Sequence, residues 1–581
     1  MLRALAKPDT HLGMSKPHHP HPIPPHPAHT TGRRAHKGGL QTTWIYRQWL
    51  RGPAPRGVTV NAPLLWPGSP DAGAALLKGL FTHQGETHLL QSAAHMPPQT
   101  SDPWLAWFHG LHWLLDVAAL SGGERGGEAP YFAREWLSAW MDANTRYSPI
   151  AWKPEITAAR VINLIRVWSF LVRDDAAGPF EKMLRHTVGR DARHIFRSPP
   201  PPGSGYARLL TLKGQVFAAL ALKGFERKQA KTLARLEAEI NAQILPDGGY
   251  VERNPERLAD VLRDLLELKA LIAAATGQMS NGVQNAIDRV APMLRQMRHP
   301  DGGLALFNGG QESSAAQIDL LLAHTDAGAK APGRAPYAGF QRLNAGNVTL
   351  IMDCGKPGGP GRRQHAGTLS FEMSVGAHRV IVNCGSRPGE SDPWRTALAA
   401  TAAHSTLTVN DTSSAAFNLD GSLHRGPERV DCARSEGDDG VLVEASHDGY
   451  LVPFGLVHHR AIFVEPSGES VRGEDRLSGT GGEYFTIRFH LHPNVKASLL
   501  GGGGQAAGVL LRFGSRHKET WRLRASLGEI SLESSVYLGQ GGEHRRTEQI
   551  VISGPLTGNG ALVKWAFLRE GAREGQREGQ K

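Results

Sequence analysis

The chain has 581 residues, which is too long for a single hydrophobic core. With 40% hydrophobic and 20% charged residues, its composition is ordinary for a globular protein. It shows no apolar run of about 18 residues that would predict a transmembrane helix, and its first twenty residues lack the features of a standard secretory signal. Residues 1–40 supply about half of the net charge of +11. The remaining excess is too diffuse to indicate nucleic acid, but it is compatible with a groove for an acidic polymer.

Residues 1–40 are rich in His and Pro, as in KPHHPHPIPPHPAHTTGRR, and this composition predicts a disordered tail. From 41 to 330, apolar residues recur every three to four positions, which is typical of helices. The clearest examples are 104–120, 154–172, 207–225 and 256–275. The helical pairs share no fixed period, so an α/α toroid or helical array is favoured over a simple solenoid.

The stretch APGRAPYAG, residues 331–339, is predicted to be a linker. Short alternating segments separated by Gly-rich turns then fill 340–570 and predict a large antiparallel β-sandwich. Residues 571–581 read as a charged, solvated tail. The three cysteines, Cys354, Cys384 and Cys432, lack CxxC spacing and indicate neither a disulfide scaffold nor a zinc ribbon.

Five motifs stand out within this layout: DGGYVERNP (247–255), HPDGGLALFN (299–308), HAGTLSFEMS (365–374), AATAAHSTLTVND (399–411) and RFHLHP (488–493). With them, residues 41 to 570 resemble the bacterial heparinase II/III family of polysaccharide lyases. The resemblance implies a helical toroid followed by a β-sandwich. It also implies β-elimination on polysaccharides that contain uronic acid, with an acidic polysaccharide as partner and no nucleotide or organic cofactor.

Elimination needs three kinds of group. Donors or cations must neutralise the uronate carboxylate, a base must remove the C5 proton, and an acid must protonate the departing O4 oxygen. In the family a Tyr and a His commonly share the proton transfers, and a structural zinc ion is held by two His and one Asp. The family usually acts in the cell envelope or periplasm. Because no export signal is visible, a cytoplasmic location is the alternative.

Carried onto this sequence, the zinc positions are His365, Asn383 and His404. Asn383 stands where the family has Asp, and a neutral amide in place of an anionic ligand should weaken a zinc site. The alternative is that His365 and His404 form a hydrogen-bonded polar cluster that clamps the hairpin.

The classical catalytic positions are altered. Arg257 stands at the expected Tyr, Arg363 at the expected His, and Ala207 with Arg208 at the expected Asn-His pair. Tyr250 and Tyr206 are therefore the candidate phenols for proton transfer, the alternative for Tyr250 being that it packs against the start of the next helix. Arg208, Arg253 and Arg363 are the candidate carboxylate clamps, since Arg binds carboxylates in a bidentate manner. Arg363 alternatively is an exposed loop residue.

Arg160 and Asn163, one helical turn apart, are expected to face a sugar groove, beside tryptophans that either stack on sugars or fill the core between helices. The preferred function is a lyase with a non-classical catalytic set. The alternative is a non-catalytic glycan-binding or exopolysaccharide-assembly protein that retains the lyase fold. A phenol facing an open cleft near Arg208 and Arg363 would favour the enzyme, whereas a filled or apolar cleft would favour the binding protein.

Overall fold

The computed structural model describes residues 44–571, except 95, 174–176, 200, 202–204, 360–363, 387–392, 419–420, 503–504, 515–517 and 542. The predicted tail 1–40 and all but the first residue of the predicted tail 571–581 lie outside these residues. Within the described ranges, no helix is both long enough and apolar enough to cross a membrane.

The N-terminal domain is helical, with one small hairpin, as the apolar periodicity predicts. Its helices are α1 (Trp44–Trp49), α2 (Pro70–Leu76), α3 (Asp102–His109), α4 (Trp113–Ala118), α5 (Ala129–Ala143), α6 (Pro154–Arg166), α7 (Trp168–Val172), α8 (Pro179–Arg197), α9 (Tyr206–Ala221), α10 (Gln229–Gln243), α11 (Pro255–Thr276), α12 (Asn281–Gln296) and α13 (Ala315–Ala323). The hairpin is β1 (Leu80–His83) with β2 (Glu86–Leu89). Helix α6 packs against α8 and α9, and α11 packs against α9 and α12.

Local sequence explains where these helices begin. Four of the helices, α2, α6, α8 and α11, start with proline at the first helical position, where its missing N–H costs no hydrogen bond and its fixed φ suits the helix. Asn254 caps α11 as the sequence predicts, because its side chain accepts a 2.9 Å bond from the Arg257 N–H. Large aromatic side chains, among them Trp104, Trp113 and Trp140, are fully buried and fill the helical core.

The C-terminal domain consists of antiparallel strands in two large sheets. The strands are β3 (Arg334–Ala335), β4 (Phe340–Ala345), β5 (Val348–Asp353), β6 (Phe371–Val375), β7 (His378–Val382), β8 (Leu407–Val409), β9 (Ala416–Phe417), β10 (Leu423–Arg425), β11 (Val430–Gly437), β12 (Gly440–Tyr450), β13 (Leu456–Val464), β14 (Ser470–Gly479), β15 (Tyr484–Leu491), β16 (Lys496–Gly502), β17 (Gln505–Phe513), β18 (Glu519–Ala525), β19 (Glu529–Tyr537), β20 (Arg545–Pro555) and β21 (Gly560–Arg569). Two short helices, α14 (Pro393–Ala399) and α15 (Leu451–Phe454), interrupt them.

One sheet has nine strands in the order β19-β20-β15-β7-β6-β5-β4-β3, with β8 pairing to β15. The other has eight strands in the order β11-β12-β13-β14-β21-β18-β17-β16. Along β13 burial alternates residue by residue, so one face of the strand points into the sandwich and the other points outward. Phe371 and Phe489 of the nine-stranded sheet meet Trp565 of the eight-stranded sheet in the core.

The two domains meet on the nine-stranded sheet through buried polar contacts. Arg379 of β7 pairs with Asp301 at 2.6 Å and donates to the Leu304 carbonyl at 2.9 Å. His299 lies 3.0 Å from the Glu372 carboxylate and 2.7 Å from the Ser374 hydroxyl. All of these groups except the exposed Asp301 are buried, and their bonds fix how the helices sit on the sheet.

Candidate functional site

The starts of α9 and α11 meet around Tyr206, one of the predicted site residues. Tyr206 is the first residue of α9, and its backbone N–H donates to Glu252 Oε1 at 2.9 Å. Glu252 lies in the loop before α11, and its other oxygen is 3.7 Å from Arg257 Nε. The Arg257 guanidinium in turn lies 4.0 Å from the centre of the Tyr206 ring, a cation–π contact.

Behind this surface lies a buried set of charges that we call the helical charge cluster, formed by Arg166, Lys213, Asp264 and Glu267. Lys213 Nζ is 2.5 Å from Asp264 Oδ1 and also contacts Glu267, which Arg166 contacts as well. All four side chains are at most 9% exposed. Burial raises the pKa of Asp264, although Lys213 opposes this, whereas burial of Glu267 is outweighed by Arg166 and Lys213, which lower its pKa.

The outer part of the same surface is also ion-paired. Asp260 accepts from Arg257 Nη1 at 2.8 Å and from Arg263 Nη1 at 2.9 Å. The four cations Arg166, Lys213, Arg257 and Arg263 therefore face the four carboxylates of Glu252, Asp260, Asp264 and Glu267. These eight charges balance one another, so a uronate bound at this surface has to compete with Asp260 for Arg257 and Arg263.

Tyr206 is the predicted phenol that remains partly exposed. Burial, followed by the carboxylates of Asp264 and Asp260, raises its pKa well above 10. At neutral pH the hydroxyl thus keeps its proton, which suits hydrogen-bond donation or acid catalysis better than removal of a C5 proton.

The prediction that Tyr250 supplies a phenol to the cleft is wrong. Its side chain is 1% exposed, belongs to the helical core, and donates its hydroxyl proton to Gln243 Oε1. Beside it, between α11, α12 and Phe340, the remaining cavity is only about 10 Å³, and Leu258, Met293 and Met297 contribute to its walls. That space is filled and largely apolar, so a polysaccharide cannot reach this phenol.

The predicted clamps Arg208 and Arg253 have different surroundings. Arg208 is 43% exposed on its side chain and pairs with Glu239 at 2.6 Å, so it lies at the surface. The prediction that Arg253 clamps a carboxylate is wrong, because its side chain joins the two domains instead of facing a ligand. It contacts Asp353, donates to the carbonyls of Ala338 and Lys356 at 2.7 and 2.8 Å, and stacks on Phe340. Arg363 lies outside the described residues.

Arg160 and Asn163 also correct the prediction, since both are 1% exposed and lie between helices. Arg160 pairs with Asp191 at 2.7 Å and donates to the carbonyls of His109 and Ala151. Asn163 Nδ2 donates to the Gly110 carbonyl at 2.9 Å. Helical spacing correctly places the two side chains on one face, but that face packs on α3 and α8 instead of lining a sugar groove.

The predicted zinc residues form a buried polar group. His404 Nδ1 lies 2.9 Å from the Ala400 carbonyl and must donate to it, so His404 Nε2 accepts from His365 Nδ1 at 3.1 Å. Asn383 Oδ1 accepts from the Ser405 N–H at 3.0 Å. Within the described ranges no three His, Cys, Asp or Glu side chains converge as metal ligands. Asn383 is not one of these residue types, so zinc binding by His365, Asn383 and His404 stays a prediction.

The sequence analysis missed the helical charge cluster. The sequence does contain an indication of this cluster. Asp264 and Glu267 lie one helical turn apart on an otherwise apolar face of ERLADVLRDLLELKALIAAA. The sequence analysis also missed three aromatic residues nearby. His83 stacks on Trp107 with ring centres 5.2 Å apart, and the pKa of His112 is lowered to about 4 by burial and by His83, Arg166 and Lys213.

Comparison with known families identifies the C-terminal domain. Residues 327–566 match the model of the heparinase II/III-like C-terminal family. The C-terminal domain is therefore of the heparinase II/III-like type. The predicted resemblance is thereby confirmed, and the toroid-plus-sandwich fold is confirmed by solved lyase structures.

Two such structures show the shared fold. Heparinase III superimposes with a TM-score of 0.70 at 13% identity, covering 90% of this chain and 88% of that one. A mutant of the heparan sulfate lyase HepC from Pedobacter heparinus gives 0.62 at 16% identity, covering 90% and 87%. Among curated proteins, FtsZ-localized protein C of Caulobacter vibrioides is 28% identical over 556 residues, covering 91% of this chain and 94% of its own length.

Proposed function

We propose that this protein binds an acidic polysaccharide at the helical surface around Tyr206 and Arg208 without cleaving it. The observation that carries the proposal is the filled, apolar surroundings of Tyr250, where a cavity of about 10 Å³ leaves no room for a sugar. The classical Tyr position is Arg257, which is ion-paired with Asp260 and cannot act as a base. A retained fold with altered proton-transfer positions favours binding over catalysis.

Localisation forms the second part of the proposal. The relative that matches over nearly its whole length is named for localisation with FtsZ. We infer that this chain likewise localises with FtsZ. A cell-envelope location remains the expectation from the lyase family, and the same imaging experiment bears on both.

Elimination is the second candidate function, and Tyr206 is the observation that favours it. Its partly exposed ring lies beneath the Arg257 guanidinium, and the Asp264 carboxylate helps to raise the pKa of its hydroxyl. A phenol held protonated in this way is suited to protonate the departing O4 oxygen, while a uronate carboxylate would have to compete with Asp260 for Arg257 and Arg263. The base of such a reaction has no counterpart among the predicted residues that the structure describes.

Absorbance near 232 nm separates the two candidates, because β-elimination creates an unsaturated uronate. We expect no rise when the protein is mixed with heparan sulfate, chondroitin, hyaluronan, alginate or bacterial acidic exopolysaccharides. Isothermal titration with the same panel should detect binding to at least one polymer, and this binding should weaken as salt rises.

The variant Tyr206→Phe tests the lyase, with Tyr250→Phe as the matched control for loss of a buried hydroxyl. A 232 nm signal that Tyr206→Phe abolishes and Tyr250→Phe retains would establish elimination and overturn the binding proposal. Absence of both signal and binding across the panel would overturn both candidates.

A fluorescent fusion of the full chain tests the inference about FtsZ. We expect its signal to coincide with that of labelled FtsZ in dividing cells and to disperse when FtsZ is depleted. A uniform signal that is unchanged by depletion would contradict the inference.

A further inference from the structure

A groove on the outer face of the eight-stranded sheet is used by neither candidate function. It has a volume of about 480 Å³ and crosses strands β12, β13, β14, β21 and β18. This volume lies within the range of sites that bind small molecules or short peptide segments. The helical domain packs on the other sheet, so the groove is separate from the helical charge cluster.

The register of the strands places two arginines on either side of a small residue. Arg472 of β14 lies opposite Ala566 of β21, and Arg524 of β18 lies opposite the same alanine from the other side. With neighbouring strands about 4.8 Å apart, the two arginine Cα atoms are roughly 10 Å apart. Two like charges that flank an alanine leave a cationic gap into which a carboxylate fits.

These arginines are exposed, and within the described ranges neither is ion-paired. Arg472 Nε donates to the Ser470 hydroxyl at 3.2 Å, which leaves its two terminal nitrogens to a ligand. Arg522, two residues before Arg524 on the same face, shows the contrast because it pairs with Glu570 at 2.6 Å. Lys564 adds a third cation, lying opposite Glu474, the acidic residue of the groove lining.

The floor of the groove is apolar. Phe463 lies opposite Arg472 on the far side from Ala566, and Leu442 lies opposite Phe463. Ala461 and Ala525 also contribute to the lining, and all of these apolar residues are half-buried. A ligand could bury one apolar side chain against this floor. Acidic groups next to that side chain would then pair with the three cations.

We propose that this groove binds an acidic peptide segment carrying a large apolar side chain. The apolar residue would lie over Phe463, with carboxylates on Arg472 and Arg524. An acidic glycan would use the arginines, but it has no large apolar side chain to bury against Phe463 and Leu442, so a peptide uses more of the lining.

Fluorescence anisotropy of a labelled peptide tests the proposal on the full chain. The probe is fluorescein-labelled Glu-Glu-Phe-Glu-Glu-Leu-Glu-Gly, and the double variant Arg472→Glu/Arg524→Glu should weaken its binding by about tenfold or more. Phe463→Ser should also weaken it through loss of the apolar contact. The matched control is Arg546→Glu, an exposed arginine on β20 of the other sheet, which should leave the dissociation constant unchanged.

Two competitors complete the design. The same peptide with every Glu replaced by Gln should bind at least about tenfold more weakly, because charge pairing carries the affinity. Equal binding of the Gln peptide, or equal binding by the groove variants and Arg546→Glu, would overturn the proposal. Displacement of the probe by a chondroitin hexasaccharide that itself loses affinity in the groove variants would assign the groove to a glycan instead.

Discussion

Replacing Asp475 by alanine is expected to lower the free energy of unfolding by about 3–5 kcal/mol, because it leaves the buried charge of Arg460 without its ion-pair partner. Asp475 is 1% exposed within the sandwich and accepts from Arg460 through both oxygens, at 2.8 and 2.9 Å. It also accepts from Trp565 Nε1 at 2.8 Å and from His458 Nε2 at 2.7 Å. Arg460 and His458 together hold the pKa of Asp475 well below its usual range, so the carboxylate is ionised throughout the pH range in which the protein is studied.

The network around Asp475 is complete, which is why one deletion is costly. Since His458 Nε2 donates to the carboxylate, its Nδ1 accepts from His447 Nε2 at 3.3 Å, and His447 Nδ1 accepts from the Gly449 N–H at 3.0 Å. Every ring nitrogen of the two histidines therefore has a partner while both remain neutral. Arg460 also donates to the carbonyls of Leu369 and Ser405 and so joins the two sheets.

Urea denaturation at pH 7 measures this effect. The matched control is Glu444→Ala on the exposed face of β12 in the same sheet, where we expect a change within about 0.5 kcal/mol. Asp475→Asn should fall between the two, because it keeps the shape but removes the charge. A loss below about 1 kcal/mol for Asp475→Ala would show that the sheet relaxes around an unpaired Arg460.

Acid is expected to destabilise the fold between about pH 6.5 and pH 4 through histidines that are buried as neutral rings. Burial lowers the pKa of His490 to about 3 and that of His194 to about 4. Each ring donates to a carbonyl and accepts from a hydroxyl: His490 uses Ala402 and Ser535, and His194 uses Trp152 and Tyr46. A second ring proton would force the hydroxyl partner to change from donor to acceptor and would place a charge in a buried site.

The direction of the pH effect follows from which state binds the proton. The folded pKa values lie below the unfolded value of about 6.5, so below pH 6.5 the unfolded chain binds protons that the folded chain refuses. Stability is therefore fully present above pH 6.5 and is lost as the pH falls toward the folded values. At pH 4.5 each of these histidines should contribute a loss of roughly 2–3 kcal/mol.

Urea denaturation between pH 7.5 and 4.5 tests this expectation. His490→Gln should lower stability at pH 7.5 and also flatten the dependence on pH, by up to about 1.4 kcal/mol per pH unit. The control His424→Gln, at an exposed position on β10, should leave the slope unchanged. An identical slope in His490→Gln and the parent chain would show that His490 does not govern acid stability.

The order of the domains, the type of each long element and the family resemblance are all predictable from the sequence. Apolar spacing along 256–275 and 154–172 and the polar–apolar alternation of TLSFEMSV (368–375) are local properties of the chain, and they do not depend on what packs against them. The Asn254 cap is local in the same sense, because the bond runs from its own side chain to a backbone group three residues later. The family resemblance is also predictable from the sequence, because it rests on short contiguous motifs such as HAGTLSFEMS.

Which side chains are available to a ligand depends on how the elements pack against one another. Tyr250, Arg160 and Asn163 are types that bind sugars in many proteins, yet here each is buried and bonded to a group at least seven residues away in sequence. Arg253 likewise finds its partners about 100 residues further along the chain, in the sandwich. Periodicity fixes the face on which a residue lies, but whether that face meets solvent or another element depends on long-range packing, which a local pattern does not encode.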